Sequence, residues 1–140
     1  MSAAPADFNA QIIAEFRANH GRVGGHFDGA TLLLLHTTGA RSGRQYTNPV
    51  VYLADGGRYV VFASKAGAPS NPGWYHNLKA HPEVSIEVGD QTIDVTASEV
   101  AGAERERLFA AQTQISPQFG DYQAKTERVI PVIALTPRAS

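Results

Sequence analysis

Eight consecutive residues, Thr37-Thr38-Gly39-Ala40-Arg41-Ser42-Gly43-Arg44, combine three hydroxyls, two glycines and two arginines directly after an apolar run. Glycine lets backbone N–H groups approach an anion, hydroxyls donate, and a guanidinium pairs bidentately with phosphate oxygens. The segment lacks the Gly-Lys-Ser/Thr ending of a nucleotide-binding P-loop. Its residues suit a local anion site, and they equally suit a solvated hairpin turn with two surface arginines. Composition alone leaves both open.

A second group is Ser64-Lys65-Ala66-Gly67 followed by Asn71-Pro72-Gly73-Trp74-Tyr75-His76-Asn77-Leu78, which holds the sole tryptophan. Amides and backbone could bond the edge of a heteroaromatic ring while Trp74 shields an apolar surface. Alternatively, Trp74 and Leu78, at i and i+4, anchor a short helix on the core. A third group, Ser116-Pro117-Gln118-Phe119-Gly120-Asp121-Tyr122-Gln123, either lines a pocket with its two aromatics or closes the mouth of a barrel. The five histidines form neither an H-x-x-x-H pair nor an HExxH motif, so no metal site is expected. Glu104-Arg105-Glu106-Arg107 reads as the solvated face of a helix. No Gly-x-Ser-x-Gly elbow supports a hydrolase.

These groups need elements to position them. Asp7 can cap a first helix with Phe8, Ile12, Ile13 and Phe16 on one face, ended by Gly21, and residues 21–29 read as a glycine-rich loop. A strand over Thr31–Thr38 is too uniformly apolar to be half exposed. Strands over Thr47–Leu53 and Arg58–Ala63 are joined by Asp55-Gly56-Gly57, a hairpin signal. A short helix over Gly73–Ala80 stops at His81-Pro82. Val84–Val88 and Ile93–Ala97 alternate apolar and polar residues around Gly89-Asp90, a second hairpin. A helix over Ala103–Gln112 and an apolar stretch from Val129 to Leu135, with Pro131 suited to an edge or bulge, complete the chain. Hairpins outnumber strand–helix–strand units. The expected fold is α+β, a small, mainly antiparallel barrel of about six strands with short helices packed at its ends. No G-x-G-x-x-G joins a strand to a helix, which argues against a doubly wound dinucleotide fold.

With 140 residues, 43% hydrophobic and 18% charged, the chain fits one globular domain over 1–140, of which 1–29 form the N-terminal helix and loop. A net charge of −1 gives no global field for nucleic acid or an anionic membrane. The absence of cysteine removes thiolate chemistry, disulfides and iron–sulfur clusters, and fits a cytoplasmic setting. Gln11 and Glu15 leave the first helix without a basic face, so membrane association is not indicated.

Taken in order, Leu32–Leu35, the Thr37–Arg44 turn, Asn48-Pro49, Ala63-Ser64-Lys65-Ala66-Gly67, Asn71–Leu78, His81-Pro82-Glu83-Val84 and Arg128-Val129-Ile130-Pro131-Val132 form a joint pattern. That pattern resembles the deazaflavin (F420)-dependent nitroreductase family. The resemblance implies a split β-barrel of the FMN-binding-like type and a hydride transfer from reduced F420 to a small acceptor: an activated alkene, a quinone or a nitro compound. It implies that Arg41, Ser42, Gly43 and Arg44 handle the phosphate and acidic tail. Asn48 and Pro49 lie beside the coenzyme, while Ala63, Ser64, Lys65 and Gly67 meet its ring and ribityl-like chain. Trp74 and Asn77 belong to a helix closing over it. Tyr122 matches a tyrosine near the acceptor, in a pocket with Val51, Ser116 and Phe119. In nitroimidazole-reducing relatives the positions of Val51, Ser116 and Phe119 carry tyrosines, so such substrates are not expected to be reduced efficiently. Tyr46 stands where some relatives have a tail-binding arginine. Two alternatives keep the groove: an FMN-dependent reductase, and a non-catalytic binder of an apolar ligand such as a fatty acid. Relatives imply a monomer or a homodimer.

Overall fold

The uniformly apolar run at Leu32–Leu35 has both of its faces covered. In the computed structural model, which describes residues 4–19, 32–64, 71–126 and 129–138, with side chains from residue 10 onward, this run belongs to β1 (Leu32–Thr38). Leu33 and Leu35 enter the barrel interior, whereas Leu32 and Leu34 pack outward with Ile12 and Phe16 of α1 (Ala4–Ala18). Full burial of a side chain such as Phe16 contributes roughly 1.5–3 kcal/mol. Asp7 lies inside α1 rather than capping it. Pro5 occupies the first turn instead, where its missing N–H leaves no hydrogen bond unmade. Gly21, the 21–29 loop, Lys65 and Gly67 lie outside the described residues.

The remaining elements are β2 (Gln45–Asp55), β3 (Arg58–Phe62), α2 (Gly73–Ala80), β4 (Glu83–Val88), β5 (Gln91–Val100), α3 (Gly102–Ile115), α4 (Gln118–Ala124) and β6 (Val132–Pro137). The strands close into a barrel in the order β1-β2-β3-β6-β5-β4, with every neighbouring pair antiparallel. Gly56 and Gly57 take φ of 56° and 88° between the paired Asp55 and Arg58, the left-handed conformation a two-residue hairpin loop requires. Gly89 turns the β4–β5 hairpin with φ 58°. Residues alternate along each strand: Leu33, Leu35, Val61, Ile86, Val95, Ile133 and Leu135 fill the interior, and α2 adds Leu78 to it. On the outer wall, Val60, Phe62 and Val132 pack against Leu108 and Phe109 of α3 and Phe119 of α4.

One feature was not foreseen from the sequence and a second departs from the expectation. Within the Ser116–Gln123 segment, Ser116 ends α3 and Gln118–Gln123 belong to α4, with Pro117 at its N-cap and Gly120 set against α3; a Cβ on Gly120 would lie 3.3 Å from Thr113 Cγ2. Within Glu104–Arg107, Arg105 is buried. It stacks 4.4 Å from the Phe109 ring centroid and donates to the Ile130 carbonyl and to Gln123 Oε1. Pro131 lies just before β6, and its carbonyl accepts the Ala63 N–H at 3.0 Å. Among the described residues, no helix is long and apolar enough to cross a membrane.

Candidate functional site

Strict antiparallel alternation puts the C-terminal ends of β1, β3 and β5 and the N-terminal ends of β2, β4 and β6 on one rim. The Thr37–Arg44 turn, Asn48, Ala63-Ser64 and α2 therefore gather at that rim from distant parts of the chain. The turn itself is tightly held. Gly39 N–H donates to the Arg44 carbonyl at 2.7 Å, Gly43 N–H donates to the Gly39 carbonyl at 3.1 Å, and Gly43 adopts φ 72°. Ser42 Oγ accepts the Arg44 N–H at 3.1 Å and sits 3.4 Å from the Tyr46 hydroxyl.

The side chains of Arg41 and Arg44 are exposed and make no ion pair or hydrogen bond with any described residue. The N–H groups of Arg41 and Ser42 likewise take no backbone partner among the described residues. Two guanidinium groups and two amide donors thus surround a turn whose shape is set by other contacts. An anion with several oxygens is the ligand chemistry such a donor set accepts. The residues fit a phosphate-bearing, acidic-tailed group.

Asn77 of α2 reaches the turn: its Oδ1 accepts the Ala40 N–H at 2.9 Å and its Nδ2 donates to Thr37 Oγ1 at 3.1 Å. Trp74 is half-buried and packs on the barrel interior beside Leu78, which is 3% exposed. Trp74 thus anchors α2 on the core while remaining partly exposed. On its far side α2 is fixed to β5, where Glu99 Oε1 accepts from the Tyr75 hydroxyl at 2.8 Å and Lys79 Nζ at 3.1 Å. Burial, and then the bond to Glu99, raises the Tyr75 pKa, while the bond to Glu99 raises that of Lys79.

Asn48 pairs with Leu35 and Pro49 with Leu34 across β1–β2, both half-buried. Ala63 is buried, and the Ser64 N–H donates to the Phe62 carbonyl at 2.8 Å. The residues expected near the acceptor, Val51, Phe119 and Tyr122, pack on the outer wall. Val51 packs on the clusters beneath both α1 and α3–α4. Phe119 is 4% exposed and meets Phe62 and Tyr122 edge-on, with ring centroids 5.7 and 5.4 Å apart. Tyr122 is half-buried against the same cluster, and its hydroxyl takes no partner among the described residues. The Ser116 N–H caps α3 on the Gln112 carbonyl at 2.8 Å, and its carbonyl receives the Phe119 N–H at 3.0 Å.

Sequence reasoning missed two polar clusters. Glu87, on the outer face of β4, bonds His36 Nε2 at 2.7 Å and Arg17 of α1 at 2.6 Å; His36 Nδ1 lies 2.9 Å from Thr47 Oγ1. At the hairpin end, Asp55, Arg58, Glu104 and Arg107 form a network joining β2–β3 to α3. Asp55–Arg58 and Glu104–Arg107 are local i,i+3 pairs, but tertiary proximity joins the two pairs and brings Arg17, His36 and Glu87 together.

A family described as F420H(2)-dependent quinone reductase matches residues 10–137. An F420H(2)-dependent quinone reductase of Mycobacterium tuberculosis strain H37Rv is 43% identical over 129 residues, spanning 89% of this chain and 87% of its own length. Among solved structures, an F420-H2-dependent reductase is 40% identical, with a TM-score of 0.69 over 75% of this chain and 93% of its own. A second, described as a domain-swapped dimer, is 36% identical, with a TM-score of 0.71 over 94% of this chain and 98% of its own.

Proposed function

Because the chain belongs to the F420H(2)-dependent quinone reductase family, we propose that it binds reduced coenzyme F420 at the rim carrying Arg41 and Arg44 and serves a small electron-poor acceptor, a quinone before an activated alkene or a nitro compound. One observation carries this reading: two exposed arginines without partners among the described residues stand on a turn whose backbone is held by Asn77. When bound, the deazaflavin supplies the hydride. The protein's part is to hold and orient. Arg41, Arg44 and the free N–H groups at Arg41 and Ser42 receive the phosphate and acidic tail. Asn48, Pro49, Ala63 and Ser64 line the approach to the ring, and Trp74 fixes one ring edge. Lys65 and Gly67, outside the described residues, join this set by the resemblance alone. Tyr122 orients the acceptor through its hydroxyl, in a pocket with Val51, Ser116 and Phe119.

The FMN alternative draws no support from these relatives, which are named for F420H(2). A structural relative described as a domain-swapped dimer supports a homodimer over the monomer. The proposed compartment is the cytoplasm, in keeping with a chain free of cysteine.

The test is a titration of Trp74 fluorescence with F420 and, separately, with FMN. Saturable quenching by F420 alone, weakened about tenfold or more by removing Arg41 or Arg44, is the expected result. Quenching by FMN alone would reassign the coenzyme. Binding of neither ligand, by fluorescence or calorimetry, would sink the reductase reading.

A further inference from the structure

Asn77 spends both ends of its carboxamide on the protein. Its acceptor oxygen holds the Ala40 N–H at 2.9 Å and its donor nitrogen holds Thr37 Oγ1 at 3.1 Å. Both ends of the carboxamide are thus engaged on the protein, each by one hydrogen bond, one to the turn and one to the end of β1. Thr37 is 1% exposed at the end of β1, so it offers nothing to a ligand directly. The α2 helix that carries Asn77 is itself immobilised, on one side by Leu78 in the barrel core and on the other by Tyr75 and Lys79 on Glu99. Thr37, Asn77 and Ala40 thus form a continuous link from a buried strand, through a fixed helix, to the middle of an exposed turn.

We propose that Asn77 is a positioning residue that locks the Ala40–Arg44 turn in its anion-receiving shape before ligand arrives. This rests on the coenzyme reading above and deepens it. Without the tie, the turn keeps its internal bonds but loses its anchor to α2, and ordering it against the helix on binding would subtract from affinity. With the tie in place, the turn that carries Arg41, Arg44 and the N–H groups of Arg41 and Ser42 is already anchored to α2. The tie also couples the two halves of the site: displacing α2 loosens the turn, and filling the turn steadies α2 and Trp74.

The positioning role separates from direct contact by ligand and by variant. The probes are F420 itself and its phosphate-free form, which keeps the ring and ribityl chain but ends in a hydroxyl. Thr37→Val and Asn77→Ala are each expected to raise the Kd for F420 about tenfold and to change the Kd for the phosphate-free form less than twofold. Thr37→Ser, which keeps the buried hydroxyl, is expected to bind F420 as the parent protein does. Hydrogen exchange in the ligand-free protein gives an independent readout: the Ala40 amide is protected in the parent and in Thr37→Ser, and exposed in Asn77→Ala. Loss of affinity for both probes alike in Asn77→Ala, with Thr37→Val unaffected, would make Asn77 a direct ligand contact and overturn the proposal. Equal weakening of both probes in both variants, or no change in either, overturns it too. If the parent protein binds no F420 at all, the coenzyme reading fails instead, and the Ala40 exchange result still decides whether the tie exists.

Discussion

Arg105 on α3 holds the backbone carbonyl of Ile130 with two donors, Nε at 3.3 Å and Nη2 at 2.9 Å, although the two residues stand 25 positions apart. Gln123 of α4 completes the arrangement: its Oε1 accepts from Arg105 Nη2 at 2.8 Å and from the Ile130 N–H at 3.0 Å. The strand-entry segment before β6 is therefore satisfied on both its N–H and its carbonyl by side chains from two helices. Arg105→Met keeps an apolar chain against Phe109 but removes both side-chain donors from the Ile130 carbonyl, while Gln123 Oε1 retains only the Ile130 N–H. The expected cost is about 2–3 kcal/mol of folding stability, since an unsatisfied buried acceptor loses its full solvation. Chemical denaturation measures it. A change below about 0.5 kcal/mol would mean that water replaces the guanidinium at no cost.

Arg105 also marks where the sequence stops being legible. Its neighbours Glu104, Glu106 and Arg107 are exposed, and a run of alternating charges has the pattern of a solvated helix face. What buries Arg105 is Ile130 and Gln123, brought to it only by the fold. The strands and their hairpins were readable because their causes are local: alternation in Val84–Val88 and Ile93–Ala97, glycines at 56 and 57, and an apolar β1 covered on both faces. Helix α4 was not, because Pro117 and Gly120 carry the signature of a loop while serving here as a cap and a close-packing site. At the rim, the composition of the Thr37–Arg44 turn suited an anion site and a solvated turn alike, and it gave no sign of the Asn77 tie. That tie spans 37 residues from Ala40 and 40 from Thr37.

The cluster of Arg17, Glu87 and His36 predicts an acid sensitivity in the docking of α1. Glu87 has its pKa lowered, first by the hydrogen bond from Arg17 and further by that from His36, against the opposing effect of burial. A carboxyl whose folded pKa lies below its unfolded value adds stability above the unfolded value, and loses it as pH falls through the folded one. Glu87→Gln should therefore be less stable than the parent near neutral pH, by about 1 kcal/mol given the half-exposed Arg17. The difference should close below about pH 4, in the ordinary carboxylate range. Paired denaturation curves across pH check this; a gap that persists undiminished at acid pH would assign the effect to packing.

Gly39 leaves no room for a side chain. A Cβ there would lie 2.4 Å from Ser42 Oγ and 3.0 Å from the Tyr46 ring. Ser42 cannot yield freely, because its Oγ accepts the Arg44 N–H. Gly39→Ala is expected to push Ser42 off this bond and to raise the Kd for F420 about fivefold or more, with a stability loss of about 1 kcal/mol. Calorimetric titration together with thermal denaturation separates the two effects. Unchanged affinity would show that the turn accommodates the methyl without altering its donors.

Tyr122 offers the sharpest division between binding and turnover. Its ring packs on Phe119 at 5.4 Å between centroids and on the cluster that seals α3 and α4 to the barrel, so the ring is structural. Its hydroxyl, without a partner among the described residues, contributes nothing to that packing. Removing it costs no buried hydrogen bond. Tyr122→Phe should therefore keep the parent's folding stability within about 0.5 kcal/mol, as expected for a change that touches no packed contact. The Kd for F420 should also hold, because the contacts proposed for its phosphate, tail and ring lie on the rim around Arg41 and Asn77. If the hydroxyl orients the acceptor or hands it a proton, the rate of acceptor reduction falls by about 10²-fold or more, the usual yield of a positioned acid. Single-turnover oxidation of the bound reduced coenzyme, followed by its absorbance with a quinone acceptor, isolates that step from coenzyme binding. A slowed step at constant affinity places the hydroxyl beside the acceptor. An unchanged step leaves Tyr122 as a wall of the pocket, and the search for the proton donor moves to the solvent-facing rim.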